Sequence, residues 1–460
     1  MTGGDHQTYR EVPFRVPAGA TRLTVEFAYT GKDQKSVIDL GLRDPARFRG
    51  WSGGNKARFT ISEADATPSY LPGPLPAGVW NLVLGAPNLR KDAQARYTAR
   101  IFFQRGPAPT TFSDAPLKTG PGWYRGDLHV HTAHSDGSCA SRTGVRVPCP
   151  VFRTLQAAEA RGLDFIAVTD HNATSQNESL RELAPYFDDL LLIPGREITT
   201  FRGHANVFGV TGPLDFQLGS PRAATFGAIQ SKIEKAGGVL SINHPALPSG
   251  EACMGCGWSD KATDFSRVQA IEAVNGGQAE GPLSGIAFWE ARLNEGLRIT
   301  AIGGSDNHDA GLDPGRPASV GYPTTVVHAA ELSQPAILAS IRAGHVFIDV
   351  TGSRDHLLEM GAQRGDGPVA RMGDSIDAPW DAPIDIRVHV THAKGATVRL
   401  AGDAVKLLSF NRAEAVLASD DDTVAFQLVG DSARHWIRAD VRGPDGKLWL
   451  LGNPIYLNGR

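Results

Sequence analysis

The length and charge of this chain limit the kinds of protein that it can be. With 460 residues it is too long for one ordinary domain, and we expect two or three. A formal net charge of -3 with 21% charged residues is typical of a globular protein, so no nucleic-acid partner is expected. No stretch approaches the ~18 consecutive apolar residues of a membrane-spanning helix, and the first residues lack the basic and apolar segments of a signal peptide.

The first part of the chain has the pattern of β-strands. Leu23, Val25 and Phe27 alternate with polar residues, and Gly and Pro separate such runs from one another. This pattern predicts a β-sandwich with one buried face per sheet. Residues 105–123 are rich in Pro, Gly and Thr and have no period, which indicates a linker. We therefore predict an N-terminal β-sandwich domain plus linker over residues 1–118.

From residue 124 the pattern changes to strands that alternate with helices. Short apolar runs predict buried parallel strands at 164–169, 190–193, 205–210, 239–242, 268–274, 299–302 and 324–327. Periodic stretches between them predict helices at 150–162, 223–236, 284–295 and 334–343. Repeated β-then-α units indicate an α/β fold with a parallel sheet, and seven or eight such units favour a closed barrel over an open sheet. This middle domain is predicted over residues 119–353.

The last part of the chain returns to the pattern of strands. Ile384, Ile386, Val388 and Val390 alternate strictly with polar residues, and the segment 444–446 (Pro-Asp-Gly) indicates a hairpin turn. We predict a second β-sandwich domain over residues 354–460.

The segment DLHVHTAHSDG, residues 127–137, carries the strongest chemical signal. His129 and His131 are two apart, so on an extended strand both imidazoles lie on one face. Asp136 follows in a turn that can bring a carboxylate oxygen to the same place. Two exposed histidines on a strand are the ordinary alternative. The rest of the chain favours a metal site.

Further ligand-type residues follow the other predicted strands. The carboxyl ends of parallel strands meet on one face of a barrel, so these residues are expected to converge. Each alone has an ordinary explanation, such as a turn cap, but their joint placement predicts a metal centre. Nine nitrogen and oxygen ligands exceed the needs of one ion and suit two to three ions of zinc, manganese or iron. The predicted ligands are His129, His131, Asp136, His171, Glu197, His204, His244, Asp306 and His308.

The four cysteines form two pairs that are close in sequence. Cys139 with Cys149, and Cys253 with Cys256, are the simplest of three disulfide connectivities, and a zinc site or free thiols are the alternatives. Disulfides would indicate an extracytoplasmic compartment.

The motifs DLHVHTAHSDG, TDHN, PGREIT with GHANVFG, INHP and GGSDNH resemble, in this order, those of the polymerase and histidinol phosphatase (PHP) superfamily of metal-dependent phosphoesterases. The resemblance implies a distorted (β/α)7 barrel with up to three metals at its carboxyl rim. The flanking β domains look like the branch of CehA-type and McbA-type metallohydrolases, whose members are often exported. This implies a periplasmic or extracellular mature protein.

The resemblance also implies a role for each ligand. His129, His131, Glu197 and Asp306 would hold a first metal, Glu197 would bridge to a second metal on His204 and His244, and Asp136, His171 and His308 would hold a third. Catalytic roles fall to Glu197, Asp306, Asp170 and Arg196. Asp170 would orient a ligand or cap its strand. The candidate anion anchors are Arg196, Arg202, Arg316 and His345.

Three functions are open at the level of the sequence. The first is hydrolysis of phosphomonoesters or phosphodiesters by a hydroxide held between two cations. The second is hydrolysis of carbamates or carboxylic esters with the same metals. The third is a binding module without activity. A complete ligand set disfavours it, because like charges among clustered carboxylates and histidines repel one another when no ion is bound. The expected partner is a small anionic ester.

Overall fold

The structure, a computed structural model, describes residues 1–106, 112–251 and 253–459. Residues 107–111 of the predicted linker lie outside the described residues. The chain divides into two compact units. The first comprises Met1–Ser113, Asn177–Pro185 and Val210–Pro213, and the second comprises Asp114–Gln176, Tyr186–Gly209 and Leu214–Arg460. Among the described residues, no helix combines the length and apolar character needed to cross a membrane.

The first unit is built from antiparallel strands. A short 3-10 helix (Gly3–Asp5) precedes β1 (Tyr9–Val16), β2 (Ala20–Tyr29), β3 (Val37–Arg43), β4 (Phe48–Gly53), β5 (Arg58–Ser62), β6 (Gly78–Asn88) and β7 (Tyr97–Arg105). The strands form two sheets, in the orders β1-β6-β3-β4 and β5-β2-β7. The alternating residues Leu23, Val25 and Phe27 of β2 are buried, and they share one apolar core with Leu40 and Leu82 of the other sheet. The predicted alternation in β2 is therefore confirmed.

Residues 114–350 alternate between strands and helices, with a 3-10 helix at Phe265–Arg267. The helices are α1 (Val151–Ala160), α2 (Gln176–Leu183), α3 (Phe226–Lys235), α4 (Ile286–Asn294) and α5 (Gln334–Ala343). The strands are β8 (Gly122–Asp127), β9 (Ser138–Ala140), β10 (Arg146–Pro148), β11 (Phe165–Val168), β12 (Leu191–Thr200), β13 (Gly203–Phe208), β14 (Val239–Ile242), β15 (Ala270–Asn275), β16 (Thr300–Gly304), β17 (Thr324–Ala329) and β18 (Val346–Asp349).

Local capping explains why the predicted helix at 334–343 has these bounds. The Ser333 hydroxyl accepts a hydrogen bond from the Ala336 amide, and Gly344 ends the helix with φ +80°, a conformation that glycine adopts without a steric penalty. Ile337 and Ile341, one turn apart, face the apolar core of the second unit. Helix α2 was not predicted, because its eight residues, QNESLREL, offer few apolar positions.

The central sheet is mixed, which corrects the prediction that all seven runs are parallel. Its order is β16-β15-β14-β13-β12-β11-β8-β17-β18. Strands β8, β11 and β12 are parallel, as are β14, β15 and β16, but β13 is antiparallel to both of its neighbours and β17 is antiparallel to β8. Only Phe201 and Arg202 join β12 to β13, and so short a link permits a hairpin but no crossover helix. Likewise, no described helix lies between β16 and β17.

Strand β16, at one end of this order, meets β17 through a side chain of β17. Among the described residues, β16 and β17 share no ladder pairing. Instead, the Thr325 hydroxyl of β17 accepts a hydrogen bond from the Gly303 amide at 2.8 Å and donates one to the Gly303 carbonyl at 2.6 Å. Closure of the sheet into a (β/α)7 barrel stays a prediction.

The C-terminal strands continue the central sheet. β18 pairs with β28, and the order runs on through β28-β27-β23-β25, while β20-β19-β22-β26-β24 form a separate sheet. Ile384, Ile386, Val388 and Val390 of β22 are buried between the two sheets' strands, as their alternation predicts. The elements are β19 (Leu357–Gln363), β20 (Ala370–Arg371), β21 (Ser375–Ile376), β22 (Pro383–Thr391), β23 (Thr397–Ala401), α6 (Asp403–Leu407), β24 (Ser409–Phe410), β25 (Glu414–Val416), β26 (Asp421–Val429), β27 (His435–Arg442), β28 (Leu448–Gly452) and β29 (Ile455–Leu457).

Candidate metal centre

The structure brings all nine predicted ligand residues to one end of the central sheet. They follow the carboxyl ends of β8, β11, β14 and β16 or lie on the β12–β13 hairpin. Every one of them belongs to at least one group of side chains whose ligand atoms lie within 4.8 Å of one another. These residues are His129, His131, Asp136, His171, Glu197, His204, His244, Asp306 and His308.

The first group lies at the end of β8. The Nε2 atoms of His129 and His131 are 3.1 Å apart, and Oδ1 of Asp306 is 3.3 Å and 3.2 Å from them, respectively. Two atoms that each lie 2.0–2.2 Å from one cation are separated by about 2.8–3.6 Å when the angle between them is roughly 90–109°. The spacing of these three atoms therefore fits a shared divalent cation.

In both His129 and His131 the other ring nitrogen, Nδ1, has a hydrogen-bond partner, and this directs Nε2 into the cluster. Nδ1 of His129 donates to Oε1 of buried Glu272 at 2.9 Å, and an ionised carboxylate can only accept, so the proton is on Nδ1. Nδ1 of His131 lies 3.3 Å from Oγ of Ser135, whose hydroxyl donates to Asp170 at 2.6 Å. The two Nε2 atoms thus converge, and such an arrangement suits a cation between them.

Glu197 occupies the centre of the cluster and is fully buried. Its Oε1 lies 3.3 Å from Nδ1 of His204 and 3.3 Å from Nε2 of His244. The same oxygen is 3.5 Å from Nε2 of His129, and Oε2 lies 2.7 Å from Nδ1 of His171. Because Oε1 faces His129, His204 and His244 while Oε2 faces His131 and His171, this one carboxylate has the geometry to serve two cations.

A disulfide loop orients the histidines of the second group. The Cys256 carbonyl accepts a hydrogen bond from Nδ1 of His244 at 3.1 Å, and the Met254 carbonyl accepts one from Nε2 of His204 at 3.2 Å. Carbonyls only accept, so the nitrogen on that side of each ring carries a proton, and the other ring nitrogen faces Glu197. Both cysteine pairs are disulfides as predicted, Cys139 with Cys149 and Cys253 with Cys256.

The third group forms the open side of the cluster. Oδ1 of Asp136 lies 3.3 Å from Nε2 of His308 and 3.6 Å from Nε2 of His171. The side chain of Asp136 is 59% exposed and that of His308 is 39% exposed, whereas the side chains of His129 and His131 are fully buried. A substrate would therefore approach from the side of Asp136 and His308.

Charge within the cluster is strongly coupled. Burial raises the pKa of the Glu197 carboxyl, but the neighbouring His129, His171 and His204 outweigh it and hold that pKa well below its usual range. Burial lowers the pKa of His129, while the carboxylates around it raise the pKa well above the ordinary value. For His308, burial is likewise outweighed by Asp136, which raises the pKa to about 9. The carboxylates therefore draw positive charge into the site.

Two residues of the cluster have unusual backbone conformations. His244 has φ +27° and Asp306 has φ +53°, both in a region that residues with a Cβ rarely adopt. Residues held in this way concentrate at functional sites, where the surrounding structure compensates for the cost. The amide of His244 donates to Oε2 of Glu272 at 2.9 Å, and the amide of Asp306 donates to the His129 carbonyl at 2.8 Å. These bonds hold both side chains toward the cluster.

Comparison with known proteins gives distant relatives. No protein-family model matches the chain. An uncharacterized protein from Methanocaldococcus jannaschii is 26% identical over 167 residues, which cover 36% of this chain and 89% of that protein. A two-domain protein from Bacteroides vulgatus that contains a predicted PHP-like metal-dependent phosphoesterase has a TM-score of 0.40 and 19% identity over 77% of this chain and 98% of its own. A candidate metal-dependent phosphoesterase from Bifidobacterium adolescentis has a TM-score of 0.28 and 16% identity over 45% of this chain and 92% of its own.

Asp170 lies next to the cluster and is hydrogen-bonded to residues that flank His131 in the sequence. It is fully buried and accepts hydrogen bonds from the Thr132 amide and hydroxyl, both at 2.7 Å, and from Ser135. Through Ser135 it reaches His131. This geometry favours the orienting role over that of a simple strand cap.

The four predicted anion anchors differ in their surroundings. Arg196 precedes Glu197 on β12, so strand alternation points its side chain to the opposite face, where burial lowers its pKa to about 10. This orientation favours a structural role. Arg202 is exposed, 3.8 Å from Asp260, and Arg316 is exposed on a loop. His345 pairs with Asp374 at 3.2 Å, at the amino-terminal end of β18.

Glu272 is the functional side chain that the sequence reasoning missed. It lies within the buried run AIEAVN of β15, whose pattern predicts only an apolar strand. Its carboxylate contacts the His129 ring, the backbone amide of His244 and the side-chain amide of Asn275. A charged residue in the middle of a buried strand is rare unless it is paired, and that rarity was the available signal.

Proposed function

We propose that this chain is a metal-dependent hydrolase that cleaves a phosphomonoester or phosphodiester bond. The observation that carries the proposal is the convergence of nine histidine and carboxylate side chains around buried Glu197. The donor set suits two to three divalent ions of zinc, manganese or iron. When bound, such ions would supply Lewis acidity toward the ester and a nucleophile from water at neutral pH.

The ligand groups divide the nine residues among the ions. The first ion would lie on His129, His131 and Asp306, and the second on His204 and His244, with Glu197 shared between them. The third would lie on Asp136, His171 and His308, toward solvent. The distances of 3.1–3.3 Å within the first group and of 3.3 Å from Glu197 to His204 and His244 support this division.

The other residues of the site hold this arrangement in place. Glu272 keeps the Nδ1 proton of His129 in a 2.9 Å hydrogen bond, so that Nε2 stays directed into the site. Asp170 does the same for His131 through Ser135. Such preorganised ligands need no rearrangement when an anionic ester binds. We assign Glu197 and Asp306 to the reacting centre and Asp170 to positioning.

We further propose that the chain belongs to the PHP superfamily, in the branch of CehA-type and McbA-type hydrolases. In this proposal residues 119–353 form a distorted (β/α)7 barrel between two β-sandwich domains. Two disulfides are compatible with a secreted protein, and we propose a periplasmic or extracellular location.

Three substrates test the proposed reaction. The metal-replete protein is assayed with p-nitrophenyl phosphate, bis-p-nitrophenyl phosphate and 1-naphthyl methylcarbamate. We expect hydrolysis of a phosphate ester that is lost after chelation and restored by a divalent ion. Hydrolysis of the carbamate alone would favour the alternative of a carbamate or carboxylic ester hydrolase. No hydrolysis of any ester with zinc, manganese or iron would contradict the proposal.

A further inference from the structure

A second cleft lies at the opposite end of the central sheet from the metal ligands. It has a volume of about 940 Å³, within the range of sites for small organic ligands. Trp123 lines it from the start of β8, six residues before His129. At about 3.3 Å per residue, this separation along an extended chain is about 20 Å. The cleft is therefore a separate site.

One wall of the cleft carries two arginines on either side of a glycine. In the sheet formed by β20, β19 and β22, Gly361 is paired with Arg371 on one side and with Arg387 on the other. Directly paired residues lie on the same face, and neighbouring strands are about 4.8 Å apart, so the two arginine Cα atoms are about 10 Å apart. Gly361 has no side chain, and the side chain of Val369 lies over it, with Cγ1 2.9 Å from the position that a Cβ would take, so an apolar surface lies between the two arginines.

Neither arginine is neutralised by the carboxylates that line the cleft. Glu359 accepts hydrogen bonds from Nε1 of Trp123 at 2.9 Å and from Nδ1 of His389 at 3.1 Å. Asp374 is paired with Nε2 of His345 at 3.2 Å. Among the residues that the structure describes, no carboxylate lies within 4.0 Å of the side-chain nitrogens of Arg371 or Arg387.

The pKa of a neighbouring histidine, His328, is consistent with an excess of positive charge in the cleft. Burial lowers the pKa of His328, and the charges of Arg371 and His345 lower it further. His328 also lines the cleft. An anion placed between the arginines would relieve this repulsion.

The opposite wall is aromatic and apolar. The Trp123 ring is fixed by edge contacts to His328, at a centroid distance of 5.1 Å, and to Phe347, at 5.2 Å. Val369 extends into the same cleft and is 52% exposed. A rigid indole and an exposed apolar side chain suit an aromatic ring, while the paired arginines suit a carboxylate.

We propose that this cleft binds an organic carboxylate that bears an aromatic ring, with the carboxylate between Arg371 and Arg387 and the ring against Trp123. The proposal is independent of the hydrolase reaction, because none of these residues belongs to the metal cluster. It gives the C-terminal strands a role in ligand recognition.

Calorimetric titration with biphenyl-4-carboxylate tests the proposal on the full-length, metal-replete protein. The titration is repeated after the metals are removed with a chelator, because binding in the cleft should not depend on them. We expect saturable binding of the carboxylate and at least ~10-fold weaker binding of biphenyl-4-methanol, which lacks the charge. Acetate, which lacks the ring, should also bind at least ~10-fold more weakly.

Single substitutions locate the site. Arg371→Gln and Arg387→Gln should each weaken biphenyl-4-carboxylate binding by ~10-fold or more, while the hydrolase activity stays unchanged. Arg434→Gln, at an exposed arginine elsewhere in the C-terminal strands, is the matched control and should keep the wild-type affinity. The proposal is overturned if the wild-type protein binds no carboxylate, if removal of the metals abolishes binding, or if both cleft variants bind as tightly as Arg434→Gln.

Discussion

Nδ1 of His129 lies 2.9 Å from Oε1 of Glu272, which joins a candidate metal ligand to a carboxylate buried in β15. Because Glu272 fixes the proton on Nδ1, Glu272→Gln should loosen the orientation of His129. Changes to such supporting carboxylates typically cost 10–100-fold in metal affinity, and we expect a loss of that size. Competition titration with a metal-binding dye measures it. Glu234→Gln, on an exposed face of α3, is the control, and equal affinities of the two variants would refute the supporting role of Glu272.

Glu197→Gln should have a larger effect, because it removes one anion from between two cations while keeping the shape of the side chain. We expect kcat/KM to fall by more than ~100-fold, beyond the loss typical of supporting residues. Folding should survive, since the hydrophobic core near the site is supplied by residues such as Ile193 and Phe208. Kinetics, metal content and circular dichroism are measured on the same preparation, and near-normal activity with full metal content would remove Glu197 from the site.

The Cys253–Cys256 disulfide should support the ion on His204 and His244. The loop that it closes supplies the Met254 and Cys256 carbonyls that orient both imidazoles. The double variant Cys253→Ser, Cys256→Ser should therefore bind one metal equivalent 10–100-fold more weakly and leave the remaining equivalents unaffected. Equilibrium dialysis followed by elemental analysis resolves the equivalents. Uniform weakening of all of them, or none, would refute this specific role.

A separate prediction concerns stability and pH. Nδ1 of His435 lies 3.1 Å from Asp403 and Nε2 lies 3.1 Å from Asp431. Burial lowers the pKa of His435, but the two carboxylates outweigh it and raise the pKa above its ordinary value. The stabilisation is therefore fully present below the unfolded-state pKa of about 6.5 and is lost as the pH rises through the folded-state pKa.

His435→Gln should accordingly lower Tm most in acid. The difference in Tm between the wild-type protein and the variant is expected to be largest near about pH 5.5 and to shrink toward about pH 9. Thermal unfolding followed by circular dichroism across this range measures the difference. A difference in Tm that does not change with pH would mean that His435 acts only through packing.

The convergence of the candidate ligands was predictable because it follows from local patterns. Apolar runs mark the buried strands, and residues such as His244 and Asp306 come directly after them. The β12–β13 hairpin was not predictable, since its link, Phe201 and Arg202, lacks the Gly or Asn that commonly marks a tight turn.

Local sequence patterns also do not predict which strands pair when they are far apart in the chain. β18 and β28 pair through Phe347 and Gly452, which are about a hundred residues apart, and no local signal reports this contact. Glu272 was missed for a related reason. Its role depends on His129, a residue in a distant part of the sequence, and only the fold brings the two together.

The metal content of the protein tests the central claim most directly. Elemental analysis of protein that is purified without chelator, and then reconstituted with zinc, manganese or iron, should give two to three metal equivalents per chain, because nine converging ligands exceed the needs of one ion. The hydrolysis of p-nitrophenyl phosphate should rise and fall with that content. One equivalent or fewer after reconstitution would contradict the account.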